Sequence, residues 1–91
     1  MRYLRVGWKH SFPDEPVLFY SELDGDGWEI RKVEIYRDHK GYASATESAG
    51  STRLGVEPIP SLNEIAAESQ FAPDEITKEE FEEVWTGRER L

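Results

Sequence analysis

The segment Gly27–Asp38, GWEIRKVEIYRD, constrains the fold of this chain most strongly, because it is the longest run of strand-forming residues. The sequence Asp-Gly-Asp-Gly at positions 24–27 lies directly before it, and Asp-Gly pairs favour the tight turn of a β-hairpin. We therefore expect Gly27–Asp38 to be the central strand of a sheet. It should pair antiparallel with the preceding strand pattern, Val17–Leu23.

The apolar positions of this segment shift phase by one residue. Trp28 and Ile30 alternate, Arg31 and Lys32 follow, and the alternation resumes at Val33. Because side chains of a regular strand alternate between the two faces, a β-bulge at Arg31-Lys32 would restore both halves to one face. Bulges often lie beside functional sites, so we treat Arg31 and Lys32 as candidate pocket residues.

Two further strand patterns flank this hairpin. Met1–His10 alternates apolar and polar residues, and Tyr42–Ala45 follows a turn. The small and polar residues of Thr46–Gly55 predict a loop, with a brief edge strand around Arg53 and Leu54.

Two helices are predicted in the C-terminal part. Capping boxes, in which Ser or Thr is followed three residues later by Glu, occur at 61–64 and 77–80. The expected fold class is α+β, with a three- to four-stranded antiparallel meander packed on one face by two C-terminal helices. Residues 1–91 are expected to form a single domain, with the sheet in 1–45, a loop in 46–60 and the helices in 61–91. Trp8, Trp28 and Trp85 should meet where the last helix crosses the sheet, or one of them should instead anchor an interface.

Charge limits the classes of partner. The chain has 19 acidic and 11 basic residues, a net charge of -8, and residues 46–91 contain 11 acidic and 4 basic residues. An acidic surface repels phosphate backbones and attracts basic proteins, so we expect a basic protein partner and no nucleic acid. The sequence contains no stretch typical of a membrane span or secretion signal, which predicts a cytoplasmic location without membrane binding.

Catalytic patterns are not found. The absence of cysteine excludes disulfides and thiolate sites, and no serine lies in a nucleophile elbow. His10 and His39 are far apart in sequence, and the calcium-loop pattern that starts at Glu22 fails at its twelfth position, Val33. We expect no enzymatic activity, no cofactor and no metal.

Three hypotheses remain from the residues themselves. The first is a protein-binding module that uses acidic side chains: Asp14, Glu15, Asp24, Asp26, Glu79, Glu82 and Glu83. The second is a small-molecule-binding domain or modest enzyme with a pocket near the proposed bulge, formed by Arg5, His10, Arg31, Lys32 and Tyr42. The third is a structural homodimer formed through an exposed sheet edge or aromatic patch.

The order of motifs also resembles a small bacterial family of domains of unknown function over nearly the whole chain. The matching stretches are RYLRVGW, FPDEPVLFYSELDGDGWEIRKVEIYRD, Gly41-Tyr42-Ala43, PIPSL at 58–62, Ile76-Thr77, Glu80-Phe81 and Val84-Trp85. Members resemble small, acidic, stand-alone proteins encoded near polymorphic toxin systems. The resemblance therefore implies an immunity or antitoxin protein that occludes a basic toxin domain.

Overall fold

The computed structural model describes residues 1–89, which form six strands and two helices. The last two residues of the predicted helical part, 61–91, lie outside the described range. The elements are β1 (Arg2–Trp8), β2 (Leu18–Leu23), β3 (Glu29–Ile35), β4 (Lys40–Ser44), β5 (Ser48–Ala49), α1 (Leu62–Ala66), β6 (Phe71–Ile76) and α2 (Lys78–Thr86). No helix within residues 1–89 is long and apolar enough to cross a membrane.

All six strands belong to one antiparallel sheet with the order β5-β4-β3-β2-β1-β6. The predicted α+β class and the meander from β1 to β4 are confirmed, and β3 is one of the two central strands. The predicted count of three to four strands is too low. A short β5 forms at Ser48–Ala49 rather than at Arg53-Leu54, and β6 pairs with β1 from Tyr3↔Ile76 to Trp8↔Phe71.

The strand β6 was not predicted because Pro73 interrupts its pattern. Proline cannot donate a hydrogen bond to a neighbouring strand, so a proline in an apolar run argues against a central strand. The segment FAPDEI instead forms one of the two edge strands of the sheet, and within residues 1–89 its backbone pairs with β1 on one side only. Its position at the edge makes Pro73 compatible with strand structure.

The two helices lie on opposite faces of the sheet, which corrects the prediction that both pack on one face. Tyr3, Glu22 and Arg31 are aligned across β1, β2 and β3, and Tyr3 contacts Phe81 of α2 with 5.5 Å between the ring centroids. The neighbouring side chains Leu4, Ser21 and Lys32 point to the opposite face, where they share a groove with Ile65 of α1. We call these two surfaces the α2 face and the α1 face.

Helix α2 forms as its sequence predicts. Thr77 and Glu80 make a reciprocal capping box at its start, and Phe81 is fully buried against the sheet. Helix α1 has the expected cap, in which Ser61 accepts a hydrogen bond from the backbone of Glu64, but it contains only five residues and none of them is buried. It therefore contributes little to the core.

The bulge in β3 lies one residue before the predicted position. The register passes from Glu22↔Arg31 to Leu23↔Glu29, which leaves Ile30 as the inserted residue. Without this insertion Glu29 would share the face of Arg31. The bulge places Glu29 on the α1 face with Lys32 instead.

The prediction that the three tryptophans meet in the core is wrong. Trp8 stacks on Phe19 and Phe71, and Trp85 lies edge-on to Tyr42 on the other face. Trp28 ends the hairpin turn and is 41% exposed. Trp8 and Trp85 do not meet because they lie on opposite faces of the sheet.

We expect Gly41→Ala to lower the free energy of unfolding by about 2 kcal/mol, the usual cost of overpacking a core. Gly41 is buried, and an added methyl group would overlap Thr52 Oγ1 and lie 3.2 Å from the carbonyl oxygen of Ala49. Thr52 cannot yield freely because it is 2% exposed and its hydroxyl donates to Glu34. Urea denaturation measures the change.

Gly25→Ala is the matched control for this substitution. No atom lies within 4 Å of the added methyl group at this turn position, and Gly25 does not have a positive φ. We expect a change within about 0.5 kcal/mol. Equal destabilisation by both substitutions would show that the overlap with Thr52 does not account for the effect at Gly41, since the loss of glycine flexibility alone favours the folded state.

Candidate functional site

A groove of 480 Å³ lies between α1 and the α1 face of the sheet. This volume is within the range of about 300–1,000 Å³ that is typical of ligand sites. The walls are mostly apolar and are formed by Leu4, Val6, Phe19, Ile59, Pro60, Ile65 and Phe71. We refer to it as the α1 groove.

The groove forms because α1 packs mainly against the edge strand β6 and leaves space over the neighbouring strands. The helix has only five residues, and its apolar side chains, Leu62 and Ile65, remain half-buried. The preceding segment is fixed against the β2–β3 hairpin, since the backbone N–H of Ile59 donates to the carbonyl of Gly27 at 2.8 Å. Gly27 has φ of 88°, a conformation that favours glycine. The rim is thus attached to the turn of the β2–β3 hairpin.

On the sheet side of the groove, the polar lining residues are Glu29, Lys32 and Ser21. Lys32 Nζ lies 3.1 Å from Glu29 Oε1, and their side chains are 13% and 3% exposed, respectively. The hydroxyl of Ser21 lies 3.4 Å from Glu29 Oε2. A buried charge requires a partner of opposite sign, so the one-residue bulge at Ile30 is what makes Lys32 tolerable on this face.

The same pair fixes the loop that follows β5. Lys32 Nζ donates to the carbonyl of Arg53 at 3.0 Å, and the backbone N–H of Gly55 donates to Glu29 Oε1. An ammonium group has three donors, and the contacts of Lys32 with Glu29 and with Arg53 use two of them. Glu29 and Lys32 therefore hold the loop in place and also present polar atoms to the groove.

Two carboxylates on the helix side make the lining acidic. Glu64 belongs to α1 and Glu68 follows the end of α1; both line the groove and both are exposed. Glu29 and Lys32 compensate each other, so Glu64 and Glu68 leave a negative charge beside an apolar cavity. Such a surface suits a ligand that combines an apolar group with a positive charge.

Arg31, in contrast, lies on the α2 face and is fully engaged within the protein. Its Nε donates to Glu22 at 2.7 Å and its Nη2 donates to Glu82 at 2.8 Å. The guanidinium also lies 5.0 Å from the centroid of the Phe81 ring and 5.1 Å from that of Trp85. Arg31 joins two strands to α2, and its role is structural.

Electrostatic coupling in this cluster shifts several pKa values. Hydrogen bonds from Arg31 lower the pKa of Glu22 and of Glu82, and those carboxylates raise the pKa of Arg31. Burial and the hydrogen bond to Glu22 raise the pKa of Tyr3, whose hydroxyl lies 3.1 Å from that carboxylate. The cluster is charged at neutral pH and stabilises the docking of α2.

The other candidate pocket residues lie apart. Arg5 pairs with Asp74 of β6 at 3.0 Å, and Tyr42 donates to Glu89 at 2.8 Å near the end of α2. The ring of His10 packs on Trp8 with 4.1 Å between centroids, and its Nε2 lies 2.8 Å from the carbonyl oxygen of Pro16. Of the five residues in the predicted pocket, Lys32 alone lines the α1 groove.

The seven acidic candidates also divide among separate places, and none of them lines the α1 groove. Asp24 accepts hydrogen bonds from the backbone of Asp26 and Trp28 and so shapes the hairpin turn, while Glu82 binds Arg31. The remaining five are exposed: Asp14, Glu15, Asp26, Glu79 and Glu83. These five are accessible to a partner.

Most residues of the α1 groove were not predicted as a site. Lys32 was found because its position breaks the strand pattern, but Glu29 was overlooked since it occupies an ordinary position before the assumed bulge. Glu64 was interpreted only as part of a capping box, which it does form with Ser61. Recognising β6 as a strand would have identified the groove, because the pairing of β6 with β1 positions α1 over the α1 face.

Comparison with known proteins places the chain in an uncharacterised group. A family model described as a domain of unknown function (DUF6881) matches residues 2–90. No curated protein and no solved structure matches the chain. The resemblance to a family of unknown function is confirmed by this match.

We expect acid to destabilise the protein partly through Glu22 and Glu82. A carboxyl group whose pKa is lowered by folding contributes stability that is fully present above its unfolded pKa, about 4.3, and is lost as the pH falls through its folded pKa. Glu22→Gln removes one such group, so it should cost about 2 kcal/mol at pH 7 and weaken the dependence of stability on pH below about 5. Urea denaturation at pH 7 and at pH 3.5 measures both effects.

Glu79→Gln serves as the control, because Glu79 is exposed and makes no ion pair within residues 1–89. It should leave both the stability at pH 7 and the pH dependence close to those of the unmodified protein. If Glu22→Gln lost as much stability on acidification as the unmodified protein, the interaction with Arg31 would not account for the acid sensitivity.

Proposed function

Since the chain belongs to the DUF6881 family, whose description assigns no activity, we propose from its own surface that it is a non-enzymatic module that binds a basic protein. The observation that carries this proposal is the α1 groove, an apolar cavity lined by carboxylates of α1 and of the residues after it. An apolar patch with a charged rim is typical of surfaces that bind other proteins.

The distribution of ion pairs supports a basic partner. Five cationic side chains are bound to carboxylates within the fold: Arg2, Arg5, Arg31, Lys32 and Arg88. The acidic excess therefore remains on exposed positions such as Glu79 and Glu83 of α2 and Asp14 and Glu15 of the β1–β2 loop. A field of this sign accelerates the approach of a positively charged protein.

The specific form of this proposal is a bacterial immunity or antitoxin protein that acts in the cytoplasm and occludes a basic toxin domain. It is supported by the resemblance to small acidic proteins encoded near polymorphic toxin systems, and by the net charge of -8. An inhibitor of a basic enzyme needs complementary charge and a rigid surface, and it needs no catalytic residues of its own.

A small molecule is the second candidate occupant of the groove. The volume of 480 Å³ and the position of Lys32 in the lining favour it. The pocket hypothesis then retains Lys32 but not Arg31, whose guanidinium is enclosed by Glu22 and Glu82 on the other face. A ligand-screening thermal-shift assay tests this candidate directly.

Homodimerisation through a sheet edge receives less support. The outer edge of β6 contains Pro73, Asp74 and Glu75, and such residues oppose the pairing of two edges. The other edge strand, β5, has two residues. Two copies joined at β6 would bring two prolines, which cannot donate hydrogen bonds, into the shared strand pair.

We expect the purified protein, used as bait in an extract of its host, to retain a basic protein at low salt and to release it at about 1 M salt, where the screening length is about 3 Å. Charge reversal by Glu79→Lys with Glu83→Lys should slow association with that protein about tenfold at low salt. Glu82 is left unchanged because it binds Arg31. Stopped-flow association rates measure the effect.

The neutral variant Glu79→Gln with Glu83→Gln provides a graded control, and its rate should lie between those of the unmodified and charge-reversed proteins. Retention of no specific protein, or of a partner whose association rate is independent of salt and of these variants, would contradict the proposal of a basic partner.

A further inference from the structure

We propose that the α1 groove receives a large apolar side chain of the partner protein and that a neighbouring lysine or arginine of the partner binds Glu64 and Glu68. This inference rests on the proposed function, since it assigns the chemistry of the bound segment to one place on the binding module. The occupant is a short peptide segment that combines an apolar anchor with basic residues.

The space beneath α1 can accept an apolar group. The groove has a volume of 480 Å³ and lies beside half-buried Ile65, so it is large enough for an aromatic or aliphatic side chain. Leu4 forms part of its lining and is 2% exposed, which means that the groove reaches the level of the sheet. An aromatic or aliphatic side chain placed there would bury apolar surface of both molecules.

Glu64 and Glu68 provide the negative charge beside the groove. Each hydrogen bonds to a neutral side chain near it in sequence, Ser61 and Gln70 respectively, and neither makes an ion pair within residues 1–89. An anionic occupant would be repelled by these carboxylates. A cation adjacent to the apolar group would meet them at the mouth of the groove.

Two exposed apolar side chains belong to chain segments next to the groove, which favours a peptide over a small molecule. Val56 is 88% exposed and lies in the segment that continues to Ile59 at the rim. Trp28 is 41% exposed and follows Gly27, whose carbonyl binds the backbone of Ile59. Exposed tryptophan is typical of protein-binding surfaces.

The test uses tetrapeptide probes and the full chain labelled with ¹⁵N. Acetyl-Lys-Leu-Phe-Lys-amide should shift the backbone amide signals of Leu4, Ile59, Ile65 and Phe71, all of which line the groove. Acetyl-Lys-Ser-Ser-Lys-amide removes the apolar anchor, and acetyl-Glu-Leu-Phe-Glu-amide reverses the charge. Both should shift these signals at least fivefold less at the same concentration.

Glu64→Gln with Glu68→Gln should weaken binding of the first peptide about fivefold, the effect of losing two exposed ion pairs. Glutamine can still cap a helix, so α1 should be retained. The matched control is Ala45→Lys with Ser48→Lys, which changes the net charge by the same two units at the opposite edge of the sheet. It should change the affinity less than twofold.

Three outcomes would overturn the inference. They are the absence of groove shifts with the basic apolar peptide, equal shifts with the acidic peptide, and equal or larger shifts with 4-phenylbutylamine, which would identify a small amphipathic cation as the occupant. If a basic host protein is retained but Glu64→Gln with Glu68→Gln leaves its affinity unchanged, the inference fails and the proposed function stands. If no host protein is retained although the peptide binds the groove, the proposed function fails instead.

Discussion

The guanidinium of Arg31 is the interaction on which the two-sided arrangement of this protein depends. It lies between Glu22 of the neighbouring strand and Glu82 of α2, and it also contacts the rings of Phe81 and Trp85. Removing it from the fold would leave the buried carboxylate of Glu22 without its cation, which is expensive in a medium of low dielectric constant. One side chain thus fixes the helix to the sheet by charge and by ring contacts at the same time. Covering the α2 face in this way leaves the other face to be occupied by shorter and looser elements.

The pair of charged side chains on the α1 face depends on one inserted residue. Because Ile30 bulges from β3, Glu29 and Lys32 reach the same face and neutralise each other. Their hydrogen bonds to Arg53 and Gly55 then hold the loop that leads to the groove rim. The α1 groove is consequently a product of backbone register as much as of side-chain composition. Its acidity comes from a different source, the carboxylates of α1 and of the turn that follows.

Local patterns in the sequence predicted much of the fold. Alternation located β1 to β4, the Asp-Gly pairs located the hairpin turn, and the capping boxes at Ser61 and Thr77 located both helix starts. The failures share a physical cause, since each depends on contacts between distant segments. The segment β6 is extended because it pairs with β1, and the path of β6 determines which face α1 occupies. The exposure of Trp28 depends on how closely other segments approach the end of the hairpin. The candidate site was predicted only through Lys32, because a groove between elements has no local pattern.

The pairing of β6 with β1 also determines the order in which the chain can be completed. Strands β1 to β4 follow one another in the chain and are joined by connections of nine residues or fewer, so each can pair soon after it is synthesised. Tyr3 can pair with Ile76 only after the chain has been made as far as β6. Closure of so long a loop is slow, and one edge of β1 remains open until it occurs. A nascent or partly unfolded chain therefore exposes one edge of β1, which contains the apolar residues Leu4 and Val6. An unpaired edge of this kind can pair with a second chain. When β6 pairs with β1, the edge of the sheet becomes a strand that contains a proline and carboxylates, and such an edge disfavours pairing with further strands.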